Sequence, residues 1–435
     1  KKLGEKAKES TLMFAKFSPV DSNHVAYVRE KNIYIEDLES GQIRALTKRA
    51  SDTVINGTFD WVYEEELGLR DGFRWSPDGK AIAYWQLDEE GVPEMNMLNN
   101  VSGYYPKLIT FRYPKTGETN AICRVGVVQL EEGTTTWMKV PGDPRDHYLA
   151  RMEWAENSDE LLVQQLNRLQ NQNKVMLADV SSGEVKTVYT DKDKAWIEVR
   201  FGFTQWIEKG KQFTYVSERE GWRQFYLVSR EDRKVRKVTE GKYDIIRVLK
   251  LDEVSKLLYF IASPNNATER YLYQIGLDGK GLKRLTPLGQ NGSHSYSISP
   301  DAKWALHTFS NIDSPPVTNL IELPSHKTVR VMEENQALRK KLSKLKRPQT
   351  EFFRIKIAKD LEVDAYAILP PDLDSKKKYP LLVYVYGEPA GQTTVNGWRG
   401  SGGLWHWMLA QQGYVVMSID NRGTTAPRGN AWRKS

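Results

Sequence analysis

Short apolar runs separated by polar turns recur along most of this chain. Ser18-Pro19 leads into His24-Val25-Ala26-Tyr27-Val28, then Asn32-Ile33-Tyr34-Ile35, then Gly41-Gln42-Ile43-Arg44-Ala45-Leu46-Thr47. The pattern predicts a turn followed by three short alternating strands. The same order returns at Trp75 to Trp85, Glu160 to Tyr189, Gln212 to Thr239, Leu257 to Thr286 and Trp304 to Met332. Within Glu160 to Tyr189, Leu161-Leu162-Val163, Val175-Met176-Leu177-Ala178 and Val185-Lys186-Thr187-Val188-Tyr189 read as strands, with Ser181-Ser182-Gly183 as a hairpin turn. The later repeats recur about every 45 to 50 residues, the blade length of a β-propeller. A blade cannot bury both faces alone, so blades stack, and the Trp and Phe residues near blade starts are expected to be packing groups. One repeat is stretched between Gln86 and Ala121, an insertion that reads either as a pocket wall or as a surface excursion.

Around Pro348 the pattern changes. Arg339-Lys340-Lys341-Leu342-Ser343-Lys344-Leu345-Lys346-Arg347 carries Leu342 and Leu345 at helical spacing from Leu338, with Glu333 and Glu334 ahead of it. Acids at the start and cations at the end suit the helix dipole, so a surface helix stopped before Pro348 is expected. Beyond it, Phe352 to Ile357, Val363 to Leu369 and Tyr379 to Tyr386 read as strands, and Leu404 to Gln412 as a helix closed by Gly413. Tyr414 to Asp420 is a near-continuous apolar strand of the buried, parallel type. This order suits the opening of an α/β-hydrolase domain. The expected division is a propeller over 1–332, a basic helical linker over 333–350 and the start of a hydrolase domain over 351–435. A hydrolase nucleophile would sit in a Gly-x-Ser-x-Gly elbow, and no such motif occurs. Gly400-Ser401-Gly402-Gly403 has the wrong spacing and reads as a loop.

At 435 residues, with 40% hydrophobic and 11% aromatic content, the chain has material for more than one packed core. It contains no apolar run of about 18 residues, and Lys1-Lys2-Leu3-Gly4-Glu5-Lys6 has no apolar signal core, so no membrane segment is expected. Of the formal net charge of +7, the tract from Arg339 to Arg347 alone carries six positive charges, leaving the remainder near neutral. That tract lacks interleaved stacking aromatics and any recognisable nucleic-acid module, so no nucleic-acid partner is expected. Cys123 is the only cysteine, which excludes an intrachain disulfide and reads as a single buried thiol. The histidines His24, His147, His294, His307, His326 and His406 never fall at metal-ligand spacing, and neither a phosphate loop nor a dinucleotide fingerprint occurs. No metal and no cofactor are called for. Four glycosylation sequons, at Asn56, Asn100, Asn266 and Asn291, match a pattern short enough to arise by chance.

Asp60-Trp61-Val62-Tyr63-Glu64-Glu65-Glu66 places three consecutive carboxylates after an apolar, aromatic, strand-like run. On a strand Glu64 and Glu66 would share a face; if a helix starts at Glu65, Glu65 and Glu66 can point into one cavity instead. Two carboxylates meeting there could hold an alkylammonium through charge-assisted hydrogen bonds. Charge alone favours a solvated acidic loop.

This heptapeptide, followed by Trp75-Ser76-Pro77-Asp78-Gly79-Lys80, resembles the dipeptidyl peptidase IV family of serine peptidases, within the prolyl oligopeptidase superfamily. The resemblance runs from Phe17-Ser18-Pro19 through Tyr384-Val385-Tyr386-Gly387-Glu388-Pro389 to Asp420-Asn421-Arg422-Gly423, in the family's order. It implies a mainly β fold, with most blades of an eight-bladed propeller followed by the start of an α/β-hydrolase domain. It assigns Glu65 and Glu66 to the free α-amino group of a peptide substrate, and Tyr386 to the oxyanion. The family's Ser-Asp-His triad would lie beyond Ser435 and the first part of the propeller before Lys1, so the chain reads as a fragment, inactive alone. The arginine with which some members bind the substrate carbonyl finds no match. The chain departs from the extracellular animal members at Gly387-Glu388-Pro389-Ala390-Gly391 and at Asn421, which leaves the pocket shape beyond Tyr386 open. It lacks their disulfides, which points to a bacterial member, periplasmic or secreted, with a cytoplasmic setting left open. The implied activity of the full-length protein is release of Xaa-Pro or Xaa-Ala dipeptides from free N-termini, by a homodimer. Two alternatives stay open: an acyl-peptide or oligopeptide hydrolase of the same architecture, and a non-catalytic propeller that binds proteins.

Overall fold

The alternating runs form six antiparallel sheets in succession. The first joins Met13–Phe17, His24–Arg29, Asn32–Asp37 and Ile43–Ala45. The second orders Thr135–Trp137, Ile122–Gln129, Ala81–Asp88 and Val54–Asn56, with Phe73–Trp75 also paired to Ala81–Asp88. The third runs from His147–Trp154 through Glu160–Asn167 and Gln172–Asp179 to Val185–Lys192, and the fourth from Trp206–Ile207 through Gln212–Ser217 and Gln224–Ser229 to Val235–Lys237. Ile245–Asp252, Leu257–Ala262, Tyr271–Gly276 and Lys283–Arg284 make the fifth. Ser293–Ile298, Trp304–Asn311, Ser314–Glu322 and Thr328–Glu333 make the sixth. Repeated four-stranded sheets with neighbouring strands adjacent in sequence are propeller blades. The structure, a computed structural model, describes residues 3–4, 12–199, 204–387 and 391–434. Glu388, Pro389 and Ala390 of the segment after Tyr386, and all but Leu3 and Gly4 of the first six residues, lie outside the described residues.

The repeat has a local chemical cause. In three blades the last strand is followed directly by an apolar residue and a threonine: Leu46-Thr47, Val238-Thr239 and Leu285-Thr286. Each apolar residue donates its N–H at 2.8 Å to the carbonyl of Ile33, Phe225 or Leu272. Each threonine hydroxyl accepts the N–H of that same residue, at 2.9, 2.9 and 2.8 Å. The side chain thus completes the ladder where the short strand runs out, leaving no buried N–H unpaired. The Ser-Pro-Asp turns also repeat. Ser76 and Ser299 each donate to the aspartate two residues on, at 2.6 Å, and accept backbone N–H groups of the strand that follows. These turns are structural punctuation.

The chain divides into two compact units, residues 1–202 with 206–213 and 228–234, and residues 203–205 with 214–227 and 235–435. The first has a core around Phe59, Tyr63, Trp85, Cys123, Leu149 and Met152. Cys123 is buried and unpaired with any other cysteine, the thiol expected from the composition, and burial pushes it up to about 12. In the second, Tyr259, Leu272, Tyr296 and Ile321 pack in one cluster, and Tyr366, Ile368, Trp407, Ala410 and Val416 in another.

The latter cluster belongs to a mixed sheet ordered Gln349–Ala358, Leu361–Leu369, Val415–Ile419, Leu381–Tyr384, in which only the last pair is parallel. Helix Gly400–Gln411 connects that parallel pair in sequence and buries Trp407 and Ala410. The helix begins at Gly400, so Gly400-Ser401-Gly402-Gly403 is its first turn and not the expected loop; Gly413 follows its end at φ +91°. The basic helix is shorter than its charge pattern suggests. It spans Gln336–Leu342, because Glu333 still pairs with Thr318 in the preceding strand. Leu342 is buried, Leu338 packs beside it, and Leu345 is exposed.

Candidate functional site

The acidic stretch sits on an excursion whose two ends touch. Gly72 donates to the carbonyl of Gly57 at 3.0 Å, Gly57 to that of Trp85 at 3.0 Å, and Trp85 to that of Gly72 at 3.1 Å. A Cβ at Gly72 would come within 2.6 Å of the Gly57 carbonyl carbon, so only glycine permits this backbone contact. The excursion is thereby pinned to the buried strand Ala81–Asp88 of the first unit.

Inside it, Asp60 starts a helix, Trp61–Glu65, by accepting the Tyr63 N–H at 3.0 Å. The strand-like reading of Trp61-Val62-Tyr63 therefore fails, as does a helix start at Glu65. The cap and the packing of Tyr63 outweigh the β-propensity of these residues. Tyr63 stacks on Phe59 at 5.4 Å and accepts the Leu149 N–H at 3.0 Å; burial, then the Cys123 thiol, hold its phenol well above the ordinary range. Leu67 and Leu69 return to the same core.

Burial pushes Asp60 up to about 6, against the bond from Tyr63. Its folded-state value lies above 3.8, so its ionisation removes stability as pH rises from about 4 to about 6. Asp60→Asn keeps the acceptor and removes the charge. It should raise stability at pH 8 by roughly 1–3 kcal/mol and leave it unchanged at pH 4. Chemical denaturation at both pH values is the check, and a variant less stable than the parent at pH 8 would show that the carboxylate is held charged.

With Tyr63 and Leu67 turned inward, the three glutamates are left at the C-terminal end of the helix. Glu64 is half-buried and pairs with Arg70 at 3.5 Å; Glu65 and Glu66 are exposed neighbours, Glu66 as the C-cap. Carboxylates beside the partial negative charge of a helix end attract a cation. The insertion beyond Gln86 forms a two-stranded hairpin, Glu94–Asn99 with Lys107–Arg112. At its base Tyr113 packs tilted against Trp61, ring centroids 4.2 Å apart, and Arg112 donates to the Val92 carbonyl at 2.9 Å. A cavity of about 660 Å³ elsewhere in this unit, lined by residues such as His24, Asp37 and Trp75, includes neither glutamate.

Tyr386 lies in the second unit, two residues past strand Leu381–Tyr384, and is half exposed. The flanks of its loop are tied to the neighbouring strand. Ser418 donates to the Tyr384 carbonyl at 2.7 Å and to the Thr393 hydroxyl at 2.8 Å, while Asp420 accepts the N–H groups of Thr393 and Thr394 at 2.8 and 3.0 Å.

Two polar clusters in this unit escaped the sequence reading. His294 stacks on His307, with His294 Nδ1 lying 2.8 Å from His307 Nε2, and His326 meets His307 edge-on. Burial lowers His294 to about 4 and His307 to about 3, so at neutral pH this is a packed, uncharged stack. No group of three or more His, Cys, Asp or Glu able to hold a metal occurs among the described residues. The second cluster surrounds Arg433, on the short helix Asn430–Arg433, which meets both Glu218 and Asp244. Arg223 and Lys434 also reach Glu218, at 3.0 and 2.7 Å. Alternating apolar patterns carry no signal for either cluster.

Successive antiparallel blades, one carrying a carboxylate-tipped helix on a pinned excursion, define a protein of the β-propeller class. The chain belongs to the dipeptidyl peptidase IV family: residues 1–316 match the family model described as the dipeptidyl peptidase IV (DPP IV) N-terminal region. It is 28% identical over 425 residues to dipeptidyl peptidase 4 of Arthroderma otae and 27% identical over 426 residues to that of Trichophyton rubrum. Each alignment covers 95% of this chain and 54% of the relative, so the chain spans about half the length of these proteins. The crystal structure of Porphyromonas gingivalis dipeptidyl peptidase 4 matches with a TM-score of 0.89 and 31% identity, over 97% of this chain and 59% of that one.

Proposed function

We propose that the full-length protein is a serine dipeptidyl peptidase, in which this chain supplies substrate anchoring and part of the oxyanion site. The observation that carries this is the carboxylate pair Glu65 and Glu66, exposed and consecutive in sequence at the end of a helix anchored by Asp60, Tyr63 and the Gly57–Gly72 contact. In this reading the pair grips the α-ammonium of a peptide and acts as a ruler, limiting how many residues fit before the nucleophile. Tyr386 donates its phenolic hydrogen to the developing oxyanion. The parallel strands Leu381–Tyr384 and Val415–Ile419 with their connecting helix are the opening of an α/β-hydrolase domain, following a propeller over 1–332 and a linker over 333–350. Exposed Leu381 and Val383 on the outermost strand of that sheet support its continuation into a larger one. The serine, aspartate and histidine belong to the remaining length of the protein.

The second position of the substrate is Pro or Ala in this proposal, and the setting periplasmic or secreted. A homodimer is part of it, supported by exposed Met97, Leu98, Leu108, Ile109 and Tyr104 on the hairpin, an apolar ribbon of the kind that marks contact surfaces. The test is a pair of substrates. A free-amine Xaa-Pro amide should be cleaved with kcat/KM on the order of 100-fold or more above its N-acetylated form, since acetylation removes the charge that the glutamates bind. Equal values would sink the reading.

A further inference from the structure

Tyr386 rests against a residue without a side chain. A Cβ built on Gly391 would overlap Cδ1 of the Tyr386 ring and approach Cε1 and Cγ within 2.7 and 2.8 Å; its three nearest neighbours all belong to that ring. The requirement for glycine here is therefore steric, and its subject is Tyr386.

The seat itself is anchored. The next residues, Thr393 and Thr394, direct both backbone N–H groups to Asp420 Oδ1, and the Thr393 hydroxyl adds a third bond at 3.0 Å. Asp420 is 1% exposed. Ser418, on the same strand, links the Thr393 hydroxyl to the Tyr384 carbonyl, so one strand holds the chain both before and after Tyr386. Arg399 donates to the Thr393 carbonyl, closing the set. A buried acceptor with three donors is costly to displace, which makes the position of Gly391 stiff. A phenol seated on a stiff backbone keeps its ring where the strand and Asp420 place it.

We propose that Gly391 is a positioning residue for Tyr386: its bare backbone is the seat of the ring, fixed from below by Thr393, Thr394 and Asp420. The inference rests on the reading of Tyr386 as oxyanion donor and adds which residues aim it. Misplacement of a catalytic group by about 1 Å can cost on the order of 100-fold. In the full-length protein, Gly391→Ala should therefore lower kcat by about 10- to 100-fold while KM stays within about twofold, because the donor is displaced without loss of ground-state contacts. The thermal midpoint should not move, since the three atoms nearest the added methyl all belong to a half-exposed ring. Because Gly391 acts through Tyr386, Gly391→Ala/Tyr386→Phe should be no slower than Tyr386→Phe alone.

Normal turnover in Gly391→Ala beside a slow Tyr386→Phe overturns the seat and leaves the oxyanion reading intact. A fully active Tyr386→Phe overturns the oxyanion reading itself. Losses that add in full in the double variant also overturn the proposal. If Gly391→Ala does not fold, Thr393→Val serves in its place: it removes the hydroxyl between Ser418 and Asp420 at constant volume. It should reproduce the fall in kcat at constant KM, and unchanged kcat there would equally refute the proposal.

Discussion

Glu65→Ala and Glu66→Ala should each lower kcat/KM of the full-length protein for a free-amine dipeptidyl substrate by about 2–5 kcal/mol, the range for truncating one partner of a buried, hydrogen-bonded charge pair. Bound substrate would desolvate both carboxylates, and the remaining one would face the ammonium alone. The folded state should not respond, because both side chains are exposed in the unliganded chain and the helix is held by Asp60 and Tyr63. The variants should also lose most of the discrimination between free and N-acetylated substrates, which a general folding defect would not produce. Activity within error of the parent, with discrimination intact, would leave the glutamates as solvated surface.

The second large effect concerns stability. Arg433 is buried against Glu218 and Asp244, and Asp244 additionally accepts the N–H groups of Arg223 and Gly429 at 2.8 Å each. Arg433→Met keeps apolar bulk and leaves two buried carboxylates without their shared cation. Removing one partner of a buried ion pair costs about 3–5 kcal/mol, and a loss of that size is expected at pH 7. The pH dependence has a definite sign. Despite burial, Arg223, Arg433 and Lys434 hold Glu218 down to about 2, below its ordinary 4.5. Its contribution is therefore complete above about pH 4.5 and lost as pH falls towards 2. The gap between parent and variant should narrow over that window. Thermal unfolding at pH 7 and pH 3 measures it, and an equal gap at both values would mean that packing around Arg433 matters, not its charge.

The blades were legible in the chain because their causes are local. Strand alternation and the Ser-Pro-Asp turns act over a few residues, so they are written into short stretches such as His24 to Val28 and Ser76 to Ala81. The parallel strand Val415–Ile419 and the helix before it were legible for the same reason, as an unbroken apolar run after a glycine stop. The shortfalls came where two local preferences compete. Trp61-Val62-Tyr63 favours a strand by composition, and Asp60 with the buried Tyr63 makes it a helix. Glu333 looks like a helix start by charge, and its pairing with Thr318 keeps it in a strand.

What no local pattern carries is coincidence in space. Gly57 meets Gly72, and His294 meets His307 and His326, only once strands have paired. Arg433 reaches Asp244 across 189 residues of sequence. Gly391 becomes the seat of Tyr386 only because Asp420, just past the strand Val415–Ile419, holds Thr393 and Thr394. Local propensity and pattern select the elements, whereas long-range packing, hydrogen bonding and desolvation select which side chains meet. Residue identity was enough to announce a run of propeller blades and an acidic stretch; that the stretch ends a helix, and where each carboxylate and phenol is held, was decided by the tertiary contacts.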